Sequence, residues 1–168
     1  MASAIMASGG LVGDDIVNGM VANRLAQPDC ARGCVLDGYP RTVPQARFLA
    51  HLADERGLPE PVVIYMDVPA DLLVARLTAR RQCPECGRIY NLLTQPPRVD
   101  GICDGDRAPL LIRDDDHETV IRRRLAAYHE LTGPVLDWYG PELVHRVDGS
   151  LSPDEVWRAI ERELTVCV

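Results

Sequence analysis

The chain has 168 residues, of which 46% are hydrophobic and 26% charged, and its formal net charge is -7. This length suits one core with room for a small additional module, and an acidic chain without a long basic cluster argues against nucleic acid as a partner. No signal segment is visible and no apolar run approaches the ~18 residues of a membrane span. We therefore expect a cytoplasmic protein with no membrane partner. We also expect a monomer.

The first half of the chain alternates between helical and strand patterns. In chain order, we predict the last turns of a helix at residues 1–8, a helix N-capped by Asp14 that ends before Pro28, a buried strand at 34–36, a helix at 43–56 and a strand at 62–68. The last of these is a near-continuous apolar, β-branched run, which predicts a strand covered on both faces.

The second half predicts a helix opened by Pro69, followed by an insertion. Residues 82–112 lose helical periodicity and gain Cys, Gly and Pro. After them we predict a long helix from the acidic run 114–116 to Leu131, broken near Gly133, then a strand at 144–147 and a helix with a capping box at its start. Alternating strands and helices predict an α/β fold with a doubly wound, mostly parallel sheet. Residues 1–81 and 113–168 form its core, and 82–112 form the insertion.

The turn that follows the strand at 34–36 is a candidate ligand site. Gly38 and Pro40 end the strand, and Thr42 is the predicted N-cap of the next helix. In an open α/β sheet, ligands bind beyond the carboxyl ends of the strands. Asp37 and Arg41 therefore lie where a metal-phosphate ligand would bind, although the same turn taken alone is also compatible with an ordinary solvated loop.

The insertion carries a predicted zinc site. Its four ligands are Cys83, Cys86, Cys103 and Asp106, in the pattern Cys-x-x-Cys followed by Cys-x-x-Asp. A disulfide is disfavoured because no secretory signal is visible, and a redox pair because a third Cys and an Asp complete the set. Four protein ligands predict a structural Zn²⁺.

Several neighbours of the cysteines carry further predictions. Each pair of ligands lies on a short turn that we call a knuckle, the first at 83–87 and the second at 103–106. We expect Gly87 and Gly105 to permit these turns, and Arg88 and Arg107 to lie near the negatively charged cluster. The cysteines outside the set are predicted to be small buried hydrophobes. They are Cys30, Cys34 and Cys167.

Arginines cluster at the two ends of the insertion. Arg76 and Arg80 lead into it on one predicted helix face, Arg113 leaves it, and Arg124 lies on the helix that follows. Phosphoryl transfer needs cations around the transferring group, although a surface arginine paired to an acid is the commoner case. All 18 basic residues are arginine, so the P-loop pattern Gly-x-x-x-x-Gly-Lys does not occur.

Taken together, these motifs resemble a known family. Asp-Gly-Tyr-Pro-Arg-Thr-x-x-Gln at 37–45, preceded by Gly-Leu-Val at 10–12, is similar to the nucleoside-monophosphate-binding part of bacterial adenylate kinases, and the resemblance runs from about Ala4 to the C-terminus. It implies a nucleoside-monophosphate kinase fold whose first strands precede this chain, a zinc-bearing lid at 82–112, and a partial AMP-binding region at about 1–27. We expect a mis-assigned start at Met1 or a truncated gene.

The resemblance also implies a reaction and its residues. The reaction is ATP + AMP = 2 ADP, dependent on Mg²⁺, with ATP, AMP and ADP as partners. The implied AMP-binding residues are Gly10, Leu11, Val12, Gly38, Tyr39, Pro40, Arg41, Gln45, Arg113 and Arg124. The implied ATP-binding residues are Arg76, Arg80, Ile89, Tyr90 and Leu151. The implied catalytic residues are Arg80, Arg113, Arg124 and Asp37, the last holding Mg²⁺ through water.

Without a P-loop, the β- and γ-phosphates lose a backbone cradle and a lysine, so we expect negligible activity from this chain alone. Three alternatives stay open. They are a non-catalytic, zinc-stabilised nucleotide-binding module, a fragment that needs a separate N-terminal half, and a related nucleoside-monophosphate kinase.

Overall fold

The computed structural model describes residues 13–166, so the predictions for residues 1–8, for Gly10, Leu11 and Val12, and for Cys167 lie outside it. The helices are α1 (Asp14–Leu25), α2 (Val43–Arg56), α3 (Ala70–Thr78), α4 (Glu118–Ala127), α5 (Gly133–Tyr139) and α6 (Pro153–Val166). The strands are β1 (Val63–Asp67), β2 (Arg80–Gln82), β3 (Ile89–Asn91) and β4 (Val144–Asp148). Short 3₁₀ helices lie at Pro28–Arg32 and Asp114–Asp116.

The described residues form two compact units. The insertion unit comprises residues 68–125 and contains the whole predicted insertion, and the core unit comprises residues 13–67 and 126–166. None of the helices in the described part of the chain is long and apolar enough to span a bilayer.

A parallel strand pair organises the core unit. β1 and β4 pair in register from Val63 opposite Val144 to Asp67 opposite Asp148, and the chain between them includes helices. This pairing confirms the predicted α/β class with a parallel sheet. β1 is not covered on both faces, however, because Met66 is 56% exposed.

The predicted strand at 34–36 does not form in the structure, and Val35 is 93% exposed. A strand requires a neighbour to accept and donate its ladder hydrogen bonds, and the described residues provide none for this segment. For the same reason the prediction of a buried Cys34 is wrong, since this thiol is exposed.

Helix α2 follows the predicted pattern closely. Thr42 is its N-cap and accepts a hydrogen bond from the backbone N–H of Gln45 at 3.3 Å. The helix ends at Arg56, and the φ of +62° at its C-cap, Gly57, suits a residue without a side chain. Its buried face includes Ala46, Leu49 and Leu52, as the helical spacing predicts.

Helix α1 begins differently from the prediction. Its N-cap is Gly13, and Asp14 is the first helical residue, with no side-chain cap hydrogen bond. The Asp14 carboxylate instead accepts hydrogen bonds from Thr42 and Gln45 of the α2 N-terminus. A contact distant in sequence has replaced the local cap.

The predicted break near Gly133 is also wrong. A π-helical turn at Tyr128–Thr132 follows α4, and α5 then continues the helical path to Tyr139. Pro134 lies in the first turn of α5, where the fixed φ of proline is compatible with a helix. The capping box of α6 is confirmed, because the Ser152 and Glu155 side chains each bond the other residue's backbone N–H.

Candidate functional site

Four potential metal ligands meet at the centre of the insertion unit. The ligand atoms of Cys83, Cys86, Cys103 and Asp106 all lie within 4.8 Å of one another. Cys83 Sγ is 3.2 and 3.3 Å from the two Asp106 carboxylate oxygens, and Cys86 Sγ is 3.6 Å from Cys103 Sγ. Cys83 and Cys103 are fully buried, with 0% and 1% exposure.

These separations fit a tetrahedral metal. Zn–S bonds of about 2.3 Å at tetrahedral angles place two sulfurs about 3.8 Å apart, whereas a disulfide requires about 2.05 Å. All three cysteines are free thiols. The site therefore has the ligand number, ligand type and spacing of structural zinc, while its geometry excludes a disulfide in this structure.

Two similar backbone turns build this cluster. Cys83 accepts a backbone hydrogen bond from Gly87 and donates one to Arg88, and Cys103 does the same with Arg107 and Ala108. Gly87 has a φ of +71°, as predicted, but the equivalent residue of the second turn is Arg107, with a φ of +63°.

Gly105 therefore does not supply the left-handed residue of its turn. Its missing side chain faces Arg88, whose guanidinium would lie 3.6 Å from a Cβ at Gly105. This places Arg88 beside the second knuckle, as expected for a cation near a negatively charged cluster.

The Tyr90 side chain is buried in the cysteine cluster and hydrogen-bonded there. It is 6% exposed, its hydroxyl lies 3.4 Å from Cys103 Sγ, and it accepts a hydrogen bond from the Asp104 N–H at 2.8 Å. The bond from Tyr90 lowers the pKa of the Cys103 thiol, which favours the metal-binding thiolate. The backbone N–H of Ala108 and the neighbouring thiols likewise hold the pKa of Asp106 well below its usual range.

Arginines and aspartates form a second cluster in the insertion unit. Arg80 binds Asp116 through two hydrogen bonds, Nε to Oδ2 at 2.8 Å and Nη2 to Oδ1. The Asp116 side chain is 0% exposed, and the ion pair raises the pKa of Arg80. A fork-to-fork pair of this kind fixes the plane of the guanidinium.

Asp115 holds the other two arginines. Arg113 donates from Nε to Oδ1 at 2.9 Å and from Nη2 to Oδ2 at 3.1 Å, and Arg124 donates from Nη1 to Oδ2 at 3.2 Å. The structure therefore brings three of the predicted phosphate-binding arginines onto two adjacent aspartates.

The sequence interpretation missed the role of Asp115 and Asp116, which it assigned to a helix N-terminus. An acidic run directly after Arg113, in a region rich in arginines, was the available clue. A further correction concerns Arg76 and Arg80, which do not share a helix face, since α3 ends at Thr78 and Arg80 begins β2. The backbone carbonyl of Arg76 accepts a bond from Asn91 in β3.

The turn at 37–41 lies in the core unit. Arg41 Nε donates to the Gly38 carbonyl at 2.8 Å, and Gly38 has a φ of +70°. Tyr39 donates its hydroxyl hydrogen to Asn18 at 2.7 Å, and burial raises its pKa to about 12. Asp37 is exposed, while Pro40 follows a cis peptide bond.

The Gln45 amide is fully oriented by its neighbours. Oε1 accepts the Arg41 backbone N–H at 2.7 Å, and Nε2 donates to Asp14 Oδ1 at 2.8 Å. The residue is 3% exposed. Two further predicted nucleotide contacts are exposed residues, Ile89 in the insertion unit at 53% and Leu151 in the core unit at 42%.

Comparison with known proteins identifies the same family as the sequence motifs. A family model described as adenylate kinase matches residues 1–143. The adenylate kinase of Thermotoga neapolitana is 46% identical over 153 residues, which cover 90% of this chain and 70% of that protein. Those of Thermosipho melanesiensis and Finegoldia magna are 43% and 42% identical over 157 and 161 residues, covering 93% and 95% of this chain and 73% and 75% of theirs. The chain belongs to the adenylate kinase family.

Proposed function

We propose that this chain binds adenine nucleotides for Mg²⁺-dependent phosphoryl transfer, ATP + AMP = 2 ADP, and that its insertion holds one structural zinc. The observation that carries the proposal is the group of three arginines oriented by two aspartates. Phosphoryl transfer depends on positioned cations more than on covalent help from the protein. An arginine fixed in advance stabilises developing charge without reorganising during the reaction.

The charge balance of this group suits an anionic ligand. Arg80, Arg113 and Arg124 contribute three positive charges against two negative charges from Asp115 and Asp116, so 3 - 2 leaves one net positive charge. A guanidinium has five N–H donors, and the pair with Asp116 uses two of those of Arg80. The aspartates orient the arginines and leave donors for phosphate oxygens.

The nucleotide contacts form two sets, one in each unit. In the core unit, we propose Arg41 for the AMP phosphate, Gln45 for the adenine edge, Asp37 for Mg²⁺ through water, and Leu151 for the ATP adenine. In the insertion unit, we propose Arg76 and Ile89 for ATP. Tyr90 would contribute through its backbone, because its side chain lies at the cysteine cluster.

The proposed zinc is held by Cys83, Cys86, Cys103 and Asp106. A four-ligand zinc supplies a rigid cross-link between the two knuckles and leaves no open position for chemistry. Around the proposed site, the described residues form a buried cluster of Cys83, Tyr90 and Cys103, with Ala108 and Leu110 packed against it. So small an apolar cluster is typical of modules whose stability depends on a metal.

The turn that holds Arg41 and Gln45 supplies the proposed contacts to the AMP phosphate and adenine within one unit, so we expect AMP to be the tighter ligand of this chain. The cluster of four potential metal ligands favours a second candidate function, a zinc-stabilised nucleotide-binding module without phosphoryl transfer. Both functions would use the AMP site, but only the first would form ADP.

Isothermal titration calorimetry of the zinc-loaded chain with AMP and with ATP tests the binding part of the proposal. We expect AMP to bind more tightly than ATP. Arg41→Met should weaken AMP binding by about 10–100-fold, because a charge-assisted hydrogen bond is worth about 1.5–3 kcal/mol. Arg47→Met, which removes an exposed arginine of helix α2, directly after the Arg41 turn, is the matched control and should bind AMP normally. Tight ATP binding without AMP binding contradicts the proposal.

A further inference from the structure

We infer that Asp14 sets the base specificity of the site formed by Gln45 by fixing which end of the Gln45 amide is the donor; this rests on the proposed AMP site. Asp14 lies 31 residues before Gln45, at the first turn of α1, and accepts the Gln45 Nε2 hydrogen at 2.8 Å. Its other oxygen accepts the Thr42 hydroxyl at 3.0 Å. Both carboxylate oxygens therefore point at the α2 N-terminus.

The chemistry of the two partners allows one amide orientation. A carboxylate only accepts hydrogen bonds, so the NH₂ end of Gln45 must face Asp14. A backbone N–H only donates, so the oxygen end must face Arg41, whose N–H lies 2.7 Å from Oε1. Flipping the amide would bring oxygen against oxygen at Asp14 and hydrogen against hydrogen at Arg41.

This orientation leaves one group of each kind for a base. Nε2 has two hydrogens and Asp14 takes one, while Oε1 has two acceptor sites and Arg41 takes one. Adenine offers a 6-amino donor beside the N1 acceptor, whereas a 6-oxopurine offers a 6-oxo acceptor beside an N1–H donor. An amide that cannot flip pairs with one of these edges and opposes the other.

Burial makes the arrangement persistent. Gln45 is 3% exposed, so little water is available to replace a bond lost by flipping the amide, and an unpaired buried group is costly. The amide is therefore oriented before a base arrives. A site built to hydrogen-bond one pattern rejects the opposite pattern strongly, because the buried polar groups are left unpaired.

The test compares AMP with inosine monophosphate, which differs from AMP in its 6-oxo group and N1–H. Asp14→Asn keeps the shape of the side chain but lets residue 14 donate as well as accept, so only the Arg41 N–H then opposes a flipped Gln45 amide. Asp15→Asn is the matched control, since Asp15 is the exposed next residue of the same helix turn. Asp14→Ala is the second variant, and it removes the Asp14 constraint on the amide without introducing a new donor.

Calorimetry on the zinc-loaded chain gives the ratio of the two affinities, with thermal melts to confirm folding. We expect the preference for AMP over inosine monophosphate to fall about tenfold in Asp14→Asn and Asp14→Ala, as for loss of one hydrogen bond, and to persist in Asp15→Asn. An unchanged ratio in folded Asp14 variants, or equal weakening of both ligands, overturns the inference while leaving the AMP site intact. Absence of AMP binding by the wild-type chain overturns the proposed function, and the inference with it.

Discussion

The buried ion pair between Arg80 and Asp116 makes the stability of the insertion unit sensitive to which partner is removed. Arg80→Met leaves a carboxylate that is 0% exposed without its counter-ion, and breaking a buried pair in this way costs about 3–5 kcal/mol. Asp116→Asn leaves the arginine, which is 23% exposed and can reach water, so it should cost about 1–3 kcal/mol. Combining Arg80→Met with Asp116→Leu should recover most of the loss, because no charge then stays buried alone.

Urea unfolding of the zinc-loaded protein, followed by circular dichroism, measures these differences. Arg122→Met is the control, because the Arg122 and Glu118 side chains are 60% and 56% exposed and such pairs contribute about 0–1 kcal/mol. The reasoning is refuted if Arg80→Met loses less than about 1 kcal/mol, or if the double variant is as unstable as Arg80→Met.

Two further predictions concern the metal and a helix cap. Metal analysis of protein purified without added zinc should find one zinc per chain, and Cys103→Ser should lose it; less than about half an equivalent in the wild type, with reactive thiols, would count against the site. Hydrogen bonds from Ser152 lower the pKa of Glu155 from its ordinary value of 4.5. The stability that these bonds contribute is therefore fully present above pH 4.5 and is lost as pH falls through the lower pKa of the folded state. Glu155→Gln should therefore lower the melting temperature at pH 7 but much less at pH 3, and an equal loss at both would contradict the capping box.

The features that sequence predicted best depend on neighbours close in the chain. The capping box of Ser152 and Glu155 and the turn of Cys83 and Cys86 each involve residues three positions apart. The start of α2 at Thr42 is equally local. Such pairs meet in almost any fold that contains the turn, so their spacing alone identified them.

The features that sequence missed depend on contacts between distant segments. Asp14 was predicted as a cap, yet its carboxylate binds residues of α2. Asp116 was predicted as part of a helix terminus, yet it pairs with Arg80, 36 residues earlier. The apolar segment at 34–36 has strand composition, but composition cannot supply the neighbour that a strand requires.

Formation of ADP from ATP and AMP tests the central claim most directly, namely that this chain supplies the oriented arginines of an adenylate kinase. A coupled assay would compare the 168-residue chain with a version carrying a P-loop segment of the family before Met1. We expect negligible turnover by the chain alone and clear turnover by the extended version. In the latter, Arg124→Met should reduce the rate by about 10²–10³, as for loss of one transition-state donor, while Arg122→Met should not. Equal turnover by both lengths, or full activity in Arg124→Met, would contradict the account.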